Sequence, residues 1–201
     1  MRYRVRQRFI SILLFLSAAG FIVWLFQDTA SMIRLVFQDP PTILHMPVAG
    51  VSPGELRNTW GAPRGEGRFH QGIDIFAPKH TPVLSTTPGI VRKIGQNRLG
   101  GKIVWILGPG GQLHYYAHLD RFAGIEANEK IESGVVIGYV GNTGNAKGTP
   151  PHLHYSIYSL FGRAVNPFPL LSGQTMLSKQ VVPLRILPLM LLVLLLKPPR
   201  K

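Results

Sequence analysis

The chain has 201 residues, 45% of them hydrophobic, with 22 Gly and 17 Pro, which favours one main β-rich domain with many turns. It has no cysteine, so disulfides and thiolate metal ligands are excluded and any metal site must use histidine or carboxylate side chains. Seven of the 22 basic residues behind the formal net charge of +13 flank apolar runs at the two ends, and no basic stretch interleaved with aromatics indicates nucleic-acid binding.

The N-terminal region contains an apolar run of 18 residues, 9–26, close to the length that spans the hydrocarbon core of a bilayer as a helix. Four arginines lie within the preceding segment 1–8. The positive-inside rule therefore predicts a transmembrane signal anchor over 9–26, with 1–8 in the cytoplasm and the remainder exported. The alternative is a cleaved signal peptide, whose apolar core is usually shorter, about 7–15 residues, and ends in a small-x-small site.

A linker is predicted over 27–45, because Pro40, Pro41 and Pro47 interrupt any long helix that would cross this region. Six short β-like runs follow: Pro82–Thr87, Gly89–Ile94, Lys102–Leu107, Gln112–Leu119, Val135–Val140 and Leu153–Tyr158. Gly-Pro-Gly-Gly at 108–111 indicates a tight turn between two of them. The predicted fold class is mostly β, a single antiparallel-sheet domain over 46–170 that follows a transmembrane helix.

The C-terminal tail, 171–201, contains a second apolar run at 186–196, followed by a short basic end. Eleven residues are too few to span a bilayer comfortably, and prolines interrupt any extension of the run towards the N-terminus. A second membrane segment, an interfacial anchor and a tail that packs on the first helix all remain open.

Three segments contain the candidate chemistry: His70 and Asp74 four residues apart, His118 in Tyr-Ala-His-Leu, and His152 and His154 two residues apart. In a strand, residues i and i+2 face the same side, so the last pair would project together. Imidazole and carboxylate groups suit zinc, and three protein ligands leave a fourth position for water, as in a catalytic site. The spacing predicts a metal site without selecting the ligands. We interpret the other candidates as hydrogen-bonded core or surface residues: His45, His80 and His114.

The region from about Met46 to Phe168 resembles the lysostaphin-like, or LytM-type, murein zinc metallopeptidases. The motifs that carry the resemblance are Trp60-Gly61-Ala62-Pro63-Arg64, Arg68-x-His70-x-Gly72-Ile73-Asp74-Ile75, Thr81-Pro82-Val83, Tyr116-Ala117-His118-Leu119, Ile137-Gly138-Tyr139-Val140-Gly141-Asn142-Thr143-Gly144, His152-Leu153-His154 and Val165-Asn166-Pro167. The sequence departs from the usual pattern at His80, where glycine is common, at Thr87-Pro88, where an acidic residue is frequent, and at Ser156, where glutamate is common.

The resemblance implies one zinc ion per chain, held at the positions of His70, Asp74 and His154. It implies that His118 and His152 perform the acid–base and transition-state work, with their division of roles left open. The implied activity is zinc-dependent endopeptidase cleavage of stem peptides or cross-links of peptidoglycan by activated water. Some relatives of this family are inactive regulators of other wall hydrolases that have lost these positions, and all five positions are present here.

Export and the resemblance together predict a bacterial cytoplasmic-membrane protein, single-pass or two-pass, with its catalytic domain in the periplasmic or extracytoplasmic space. The predicted partners are a peptidoglycan peptide as substrate and membrane lipid around the N-terminal helix. Nucleic acid is not expected, and the sequence names no regulatory protein partner. The bond that is cut and the oligomeric state are not predicted.

Overall fold

The computed structural model describes the backbone of residues 2–173, and the side chains in that range except those of 2–11, 22–28 and 66. The predicted C-terminal tail beyond residue 173 lies outside the described residues. A long helix, α1 (Arg2–Phe37), comes first and a short one, α2 (Phe168–Ser172), comes last. Between them, the described part of the chain is built from strands, short 3-10 turns and loops, which confirms the prediction of a mostly β domain.

Within residues 2–173, the strands form two sheets, and every pairing is antiparallel. The strands are β1 (Ile73–Phe76), β2 (Pro82–Leu84), β3 (Gly89–Asn97), β4 (Gly101–Leu107), β5 (Leu113–Leu119), β6 (Arg121–Phe122), β7 (Lys130–Ile131), β8 (Val136–Tyr139), β9 (His152–Tyr158) and β10 (Ala164–Val165). The large sheet has the order β1-β9-β5-β4-β3-β7, with β10 also paired to β9, and the small sheet has the order β2-β8-β6. Each of the six runs predicted from the sequence contains a strand, although β2 ends at Leu84, three residues before the end of the predicted run.

Alternation along the central strands gives the large sheet two different faces. Val104 and Ile106 of β4 join the main hydrophobic core, which also contains Val83 and Ile137 of the small sheet. The small sheet therefore covers this face. The neighbouring residues on the central strands form a separate aromatic cluster on the opposite face: Ile103, Trp105, Tyr115, Ala117 and Tyr158. That second face is the one on which the even-numbered residues of β9 lie.

Helix α1 extends further than the sequence indicated, since the prediction placed a linker from residue 27 and the helix continues to Phe37. No glycine or proline lies between 27 and 37, so nothing in the chain stops the helix before Pro40. Its last turns contact the domain, where Val36 packs against the cluster around Leu107. Lys130 Nζ also donates to Ser31 Oγ at 2.9 Å.

The membrane segment predicted over 9–26 is not confirmed. Within the part of the chain that the structure describes, no helix combines the length and the apolar character needed to cross a membrane. The side chains at both ends of the predicted segment lie outside the described residues.

Candidate metal centre and its histidines

Asp74 and His154 meet because their strands pair directly. In the antiparallel register of β1 and β9, Asp74 is opposite His154, and Phe76 is opposite His152. His70 lies three residues before β1 and reaches the same point. The ligand-type atoms of His70, Asp74 and His154 all lie within 4.8 Å of one another. The structure therefore brings together the three residues for which the sequence predicted a metal-binding role.

Residues 59–70 hold His70 in place, although His70 itself is not in a strand. The backbone of His70 pairs with the preceding chain: its N–H donates to the carbonyl of Ala62, and its own carbonyl accepts from Gly61, both at 2.9 Å. Its Nδ1 lies 2.8 Å from the carbonyl oxygen of Thr59. The Thr59 hydroxyl oxygen also accepts from the backbone N–H of Asp74 at 3.0 Å. Thr59 thus positions two of the three site residues.

Ser156 and Gly72 shape the surroundings of His154. Ser156 Oγ lies 2.8 Å from His154 Nε2 on the side of the ring away from the cluster. Gly72 packs so closely that a Cβ there would lie 2.4 Å from Ser156 Oγ and 2.8 Å from His154 Cε1. Ser156 is fully buried. The group that holds the outer nitrogen of the His154 ring is therefore a buried, neutral hydroxyl and not a carboxylate.

These outer contacts determine the tautomer of each imidazole, and therefore which nitrogen directs an unshared electron pair into the cluster. A proton on His70 Nδ1 satisfies the Thr59 carbonyl, which leaves Nε2 unprotonated. A hydroxyl oxygen beside His154 Nε2 can accept its proton, which leaves Nδ1 unprotonated. The two nitrogens and the Asp74 carboxylate then converge as three electron-pair donors. Without a cation between them they would repel.

The spacing of the three donor atoms fits a zinc ion. His70 Nε2 and His154 Nδ1 are 2.9 Å apart. Asp74 Oδ1 lies 3.2 Å from the first nitrogen and 3.0 Å from the second. Tetrahedral zinc with ligand distances of ~2.0–2.1 Å requires its ligands to be roughly 3.3 Å apart. The donor chemistry and the near-equilateral triangle therefore both suit the metal that the sequence predicts.

The electrostatics keep Asp74 ionised. Burial raises the pKa of its carboxyl group, but the hydrogen bonds to His154 and His70, and the contact with Arg64, outweigh this and hold the pKa well below its usual range. Arg64 Nη2 donates to the second carboxylate oxygen, Oδ2, and leaves Oδ1 for the cluster. Burial lowers the pKa of His154, which keeps this imidazole neutral and able to bind a metal.

His118 reaches the site through an irregularity in β5. The register with β4 shifts between the pairs Lys102–Leu119 and Val104–Tyr116, so β5 contains an extra residue at this point. Such bulges redirect side chains beside functional sites. His118 also has a positive φ of 64°, an unusual backbone conformation for a non-glycine residue. Its Nδ1 lies 2.9 Å from the carbonyl oxygen of Thr143, which directs Nε2 towards the open side.

His152 and His154 lie on the same face of β9, the one that the small sheet leaves uncovered, as the i, i+2 spacing predicted. Its Nδ1 lies 2.8 Å from the carbonyl oxygen of Pro150, so its Nε2 is also left as the free acceptor. The rings of His152 and His118 are 5.0 Å apart, and the His118 ring is 5.8 Å from that of His154. Burial is the main reason that the pKa of His118 is lowered to about 4, so this ring is neutral near pH 7.

All five predicted site residues therefore lie in one cluster on the face of the large sheet that the small sheet leaves uncovered. The histidines interpreted as structural lie elsewhere: His45 is exposed, His80 contacts Asp120 at the surface, and His114 is buried in the core. The roles of Thr59, Arg64 and Ser156 as supporting partners were not predicted. Of these, only Ser156 had a local signal, since it lies two residues after His154 on the same face of the strand.

Comparison with known proteins agrees with this geometry. The model of Peptidase family M23 matches residues 68–167. The chain is 45% identical over 124 residues to an L-Ala--D-Glu endopeptidase of Bacillus subtilis, an alignment covering 56% of this chain and 38% of that protein. It is 41% identical over 100 residues to a DD-carboxypeptidase/endopeptidase of Neisseria meningitidis, covering 50% of this chain and 22% of that protein. The chain thus spans well under two thirds of these relatives.

Solved structures show the same fold. A putative glycyl-glycine endopeptidase from Ruminococcus gnavus superposes with a TM-score of 0.55 at 31% identity, covering 69% of this chain and 62% of that one. The catalytic domain of lysostaphin from Staphylococcus simulans gives a TM-score of 0.51 at 26% identity, covering 58% of this chain and 92% of that one. The shared part therefore corresponds to nearly the whole lysostaphin catalytic domain.

Proposed function

Because the chain belongs to peptidase family M23, we propose that it is a metalloendopeptidase that cuts peptide bonds in bacterial peptidoglycan. The observation that carries the proposal is the triangle of His70 Nε2, Asp74 Oδ1 and His154 Nδ1, with edges of 2.9–3.2 Å. Three inward lone pairs at this spacing serve a cation better than a structural hydrogen-bond network.

We assign His70, Asp74 and His154 as the residues that hold one zinc ion. Zinc bound there supplies a Lewis acid and lowers the pKa of water to ~7. The protein supplies orientation: Thr59 and Ser156 fix the two imidazoles, and Arg64 occupies the carboxylate oxygen that faces away from the cluster. These contacts set the donor atoms in place before the metal arrives, which reduces the reorganisation that binding requires.

His118 and His152 are assigned to proton transfer and to stabilising the developing negative charge. Each donates its Nδ1 proton to a backbone carbonyl and keeps Nε2 as a proton acceptor on the open side. The ring that takes a proton from the attacking water becomes an imidazolium, and the other ring donates to the oxyanion or to the leaving amine only when its Nε2 is itself protonated. Positioned acid–base groups of this kind typically contribute about 10²–10⁴-fold in rate.

The substrate class follows from the relatives and from the open face. One relative is named for the bond between L-Ala and D-Glu, and another for DD-carboxypeptidase and endopeptidase activity. Both names refer to peptide bonds. The site lies on a sheet face that the small sheet does not cover, so an extended peptide has access to it. We therefore propose a peptidoglycan peptide as the substrate.

The proposed location is the outer side of the bacterial cytoplasmic membrane, with segment 9–26 as an uncleaved anchor. The run of 18 apolar residues behind four arginines supports it. The large apolar side chains described in this segment are also exposed, with Phe15 at 74%. Fractionation with an alkaline wash tests the assignment: an anchored protein stays in the membrane pellet, and release by the wash contradicts the anchor.

Single substitutions test the division between metal binding and chemistry. His154→Ala is expected to lose both zinc and peptidoglycan hydrolysis, because one corner of the donor triangle is gone. His152→Ala and His118→Ala are expected to retain most zinc and lose hydrolysis by at least about 100-fold. Zinc is measured by elemental analysis and hydrolysis by the release of new amino groups. Wild-type hydrolysis by folded His154→Ala would overturn the ligand assignment.

A further inference from the structure

A cavity of about 360 Å³ adjoins the metal centre along β1. One wall is β1 itself, from Asp74 to Phe76. The facing wall is formed by the segment that precedes the site, including Leu56 and Arg57. The cavity begins at a predicted metal ligand and continues along the strand, so whatever occupies it lies beside the reacting bond.

The facing wall is held in a fixed position. The side chain of Glu55 accepts hydrogen bonds from the backbone N–H and the hydroxyl of Ser52, both at 2.7 Å. Leu56 packs against the main hydrophobic core. Two residues after Arg57, Thr59 contacts both His70 and Asp74. Arg57 therefore sits between two anchored positions, and its distance from the metal centre is set by the backbone.

Of the charged groups lining this cavity, Arg57 is the one left for a ligand. The carboxylate of Glu55 is occupied by Ser52, whose hydrogen bonds lower the pKa of that carboxyl group. The carboxylate of Asp74 is occupied by Arg64 and the two histidines. Arg57 makes no hydrogen bond or ion pair with any other described residue. Its guanidinium, with five donors in a planar fork, matches a carboxylate.

Phe76 links the cavity to the acid–base histidines. Its ring is half exposed, and its centroid is 5.1 Å from that of His152. A peptide residue whose backbone is at the metal centre would therefore project its side groups between Phe76 and Arg57. A group that contacts Arg57 belongs to a residue adjoining the bond that is cut.

We propose that Arg57 binds a free carboxylate on a residue next to the scissile bond, and so selects stem peptides that carry one. The inference rests on the proposed function. In the bond between L-Ala and D-Glu, for which one relative is named, the adjoining residue is D-glutamate. In peptidoglycan stem peptides, D-glutamate is joined to the next residue through its γ-carboxyl group, and its α-carboxylate is either free or converted to an amide. The free acid satisfies Arg57 with a charge-assisted pair, whereas the amide offers one neutral oxygen and no charge.

The test compares two synthetic stem peptides that differ only in the α-carboxylate or α-carboxamide of D-glutamate. Their dissociation constants are measured by calorimetry on the zinc-loaded protein with analogues whose scissile amide is replaced by a non-hydrolysable link, and cleavage of the natural peptides is followed separately. The wild type is expected to bind the free acid about tenfold more tightly. Arg57→Gln is expected to bind the two peptides equally, within about twofold, and Arg57→Lys to keep part of the preference.

Arg163→Gln is the matched control, because it removes an exposed arginine in the turn between β9 and β10 and should keep the wild-type preference. Zinc content is measured in every variant, and Arg57→Gln should match the wild type. Equal affinities in the wild type, or an unchanged preference in Arg57→Gln, would overturn the assignment of Arg57. A retained preference for the acid, with neither peptide nor murein cleaved, would count against the proposed activity and leave the carboxylate site supported.

Discussion

At the scale of single residues, the proposed metal ligands are contacted by side chains that are not ligands themselves. Ser156 is the clearest case, because it contacts the far nitrogen of His154 and has no charge of its own. Partners of this kind fix the tautomer and the ring orientation of a metal ligand, and their loss typically costs about 10–100-fold in metal affinity. The neutral hydroxyl of Ser156 stands where the family commonly has glutamate. Because it has no charge, its contribution to metal affinity should lie at the lower end of this range.

Ser156→Ala is therefore expected to weaken zinc binding by about tenfold, because His154 is then free to rotate or to change tautomer. Zinc affinity is measured by competition with a chromogenic chelator. Ser85→Ala is the control, since Ser85 is also fully buried but bonds to the carbonyl of Thr87 instead. Equal zinc affinities for Ser156→Ala and wild type would remove Ser156 from the positioning role.

The grouping of the five proposed site residues could be predicted from the sequence, and the residues that contact them could not. His70, Asp74, His152 and His154 have regular spacings, and His118 has a recognisable motif. Thr59 contacts His70, 11 residues further along the chain, and Arg64 contacts Asp74, 10 residues further along. Both contacts depend on the path of a loop, which leaves no periodic signal in the sequence. Arg57 acts through its position in a cavity wall, and such positions are known only once the chain is folded.

At the scale of structural elements, the site is built where β1, β9 and the bulged end of β5 meet. The four long strands β3, β4, β5 and β9 were predictable because alternating apolar residues and glycine turns mark them. The two-residue strands β6, β7 and β10 were not predictable, because a segment of two residues becomes a strand only when it pairs with a neighbouring strand in the folded protein. The bulge at His118 is equally invisible in the sequence, although it determines where that side chain points.

Gly72 tests how tightly β1 must approach β9. A Cβ at this position would lie 2.5 Å from the carbonyl oxygen of Tyr155 as well as against Ser156 and His154. Gly72→Ala is expected to lower the free energy of unfolding by about 1–3 kcal/mol and to weaken zinc binding, because the strands must separate. Gly124→Ala, where nothing lies within 4 Å, should change neither property. Unchanged zinc affinity in Gly72→Ala would show that the site tolerates this displacement.

At the scale of the whole molecule, one face of the large sheet packs into the main hydrophobic core, and the opposite face contains the candidate site. The small sheet seals the main core on one side, and the candidate metal centre lies on the other side with the aromatic cluster around Trp105 and Tyr115. The buried face contains its own polar network, in which His114 Nδ1 lies 2.7 Å from the hydroxyl of Tyr155. Helix α1 contacts the domain through Val36, near the β4–β5 turn.

This network makes stability depend on pH. Burial lowers the pKa of His114 to about 3, from an ordinary value of 6.5. Between these values the unfolded chain binds a proton that the folded protein excludes, so stability is complete above about pH 6.5 and is lost as pH falls. The slope approaches about 1.4 kcal/mol per pH unit. His114→Gln should flatten the curve of unfolding free energy against pH, and His45→Gln, at an exposed histidine, should not. Parallel curves for His114→Gln and wild type would refute this role.

The most direct test of the proposed activity is mass spectrometry of purified peptidoglycan sacculi after digestion by the zinc-loaded protein. The geometry of His70, Asp74 and His154, with His118 and His152 beside them, predicts new amino and carboxyl termini within the stem peptides or cross-links. The same experiment identifies the bond and distinguishes an enzyme from an inactive regulator. Intact sacculi after incubation with protein that contains one zinc per chain would contradict the proposal.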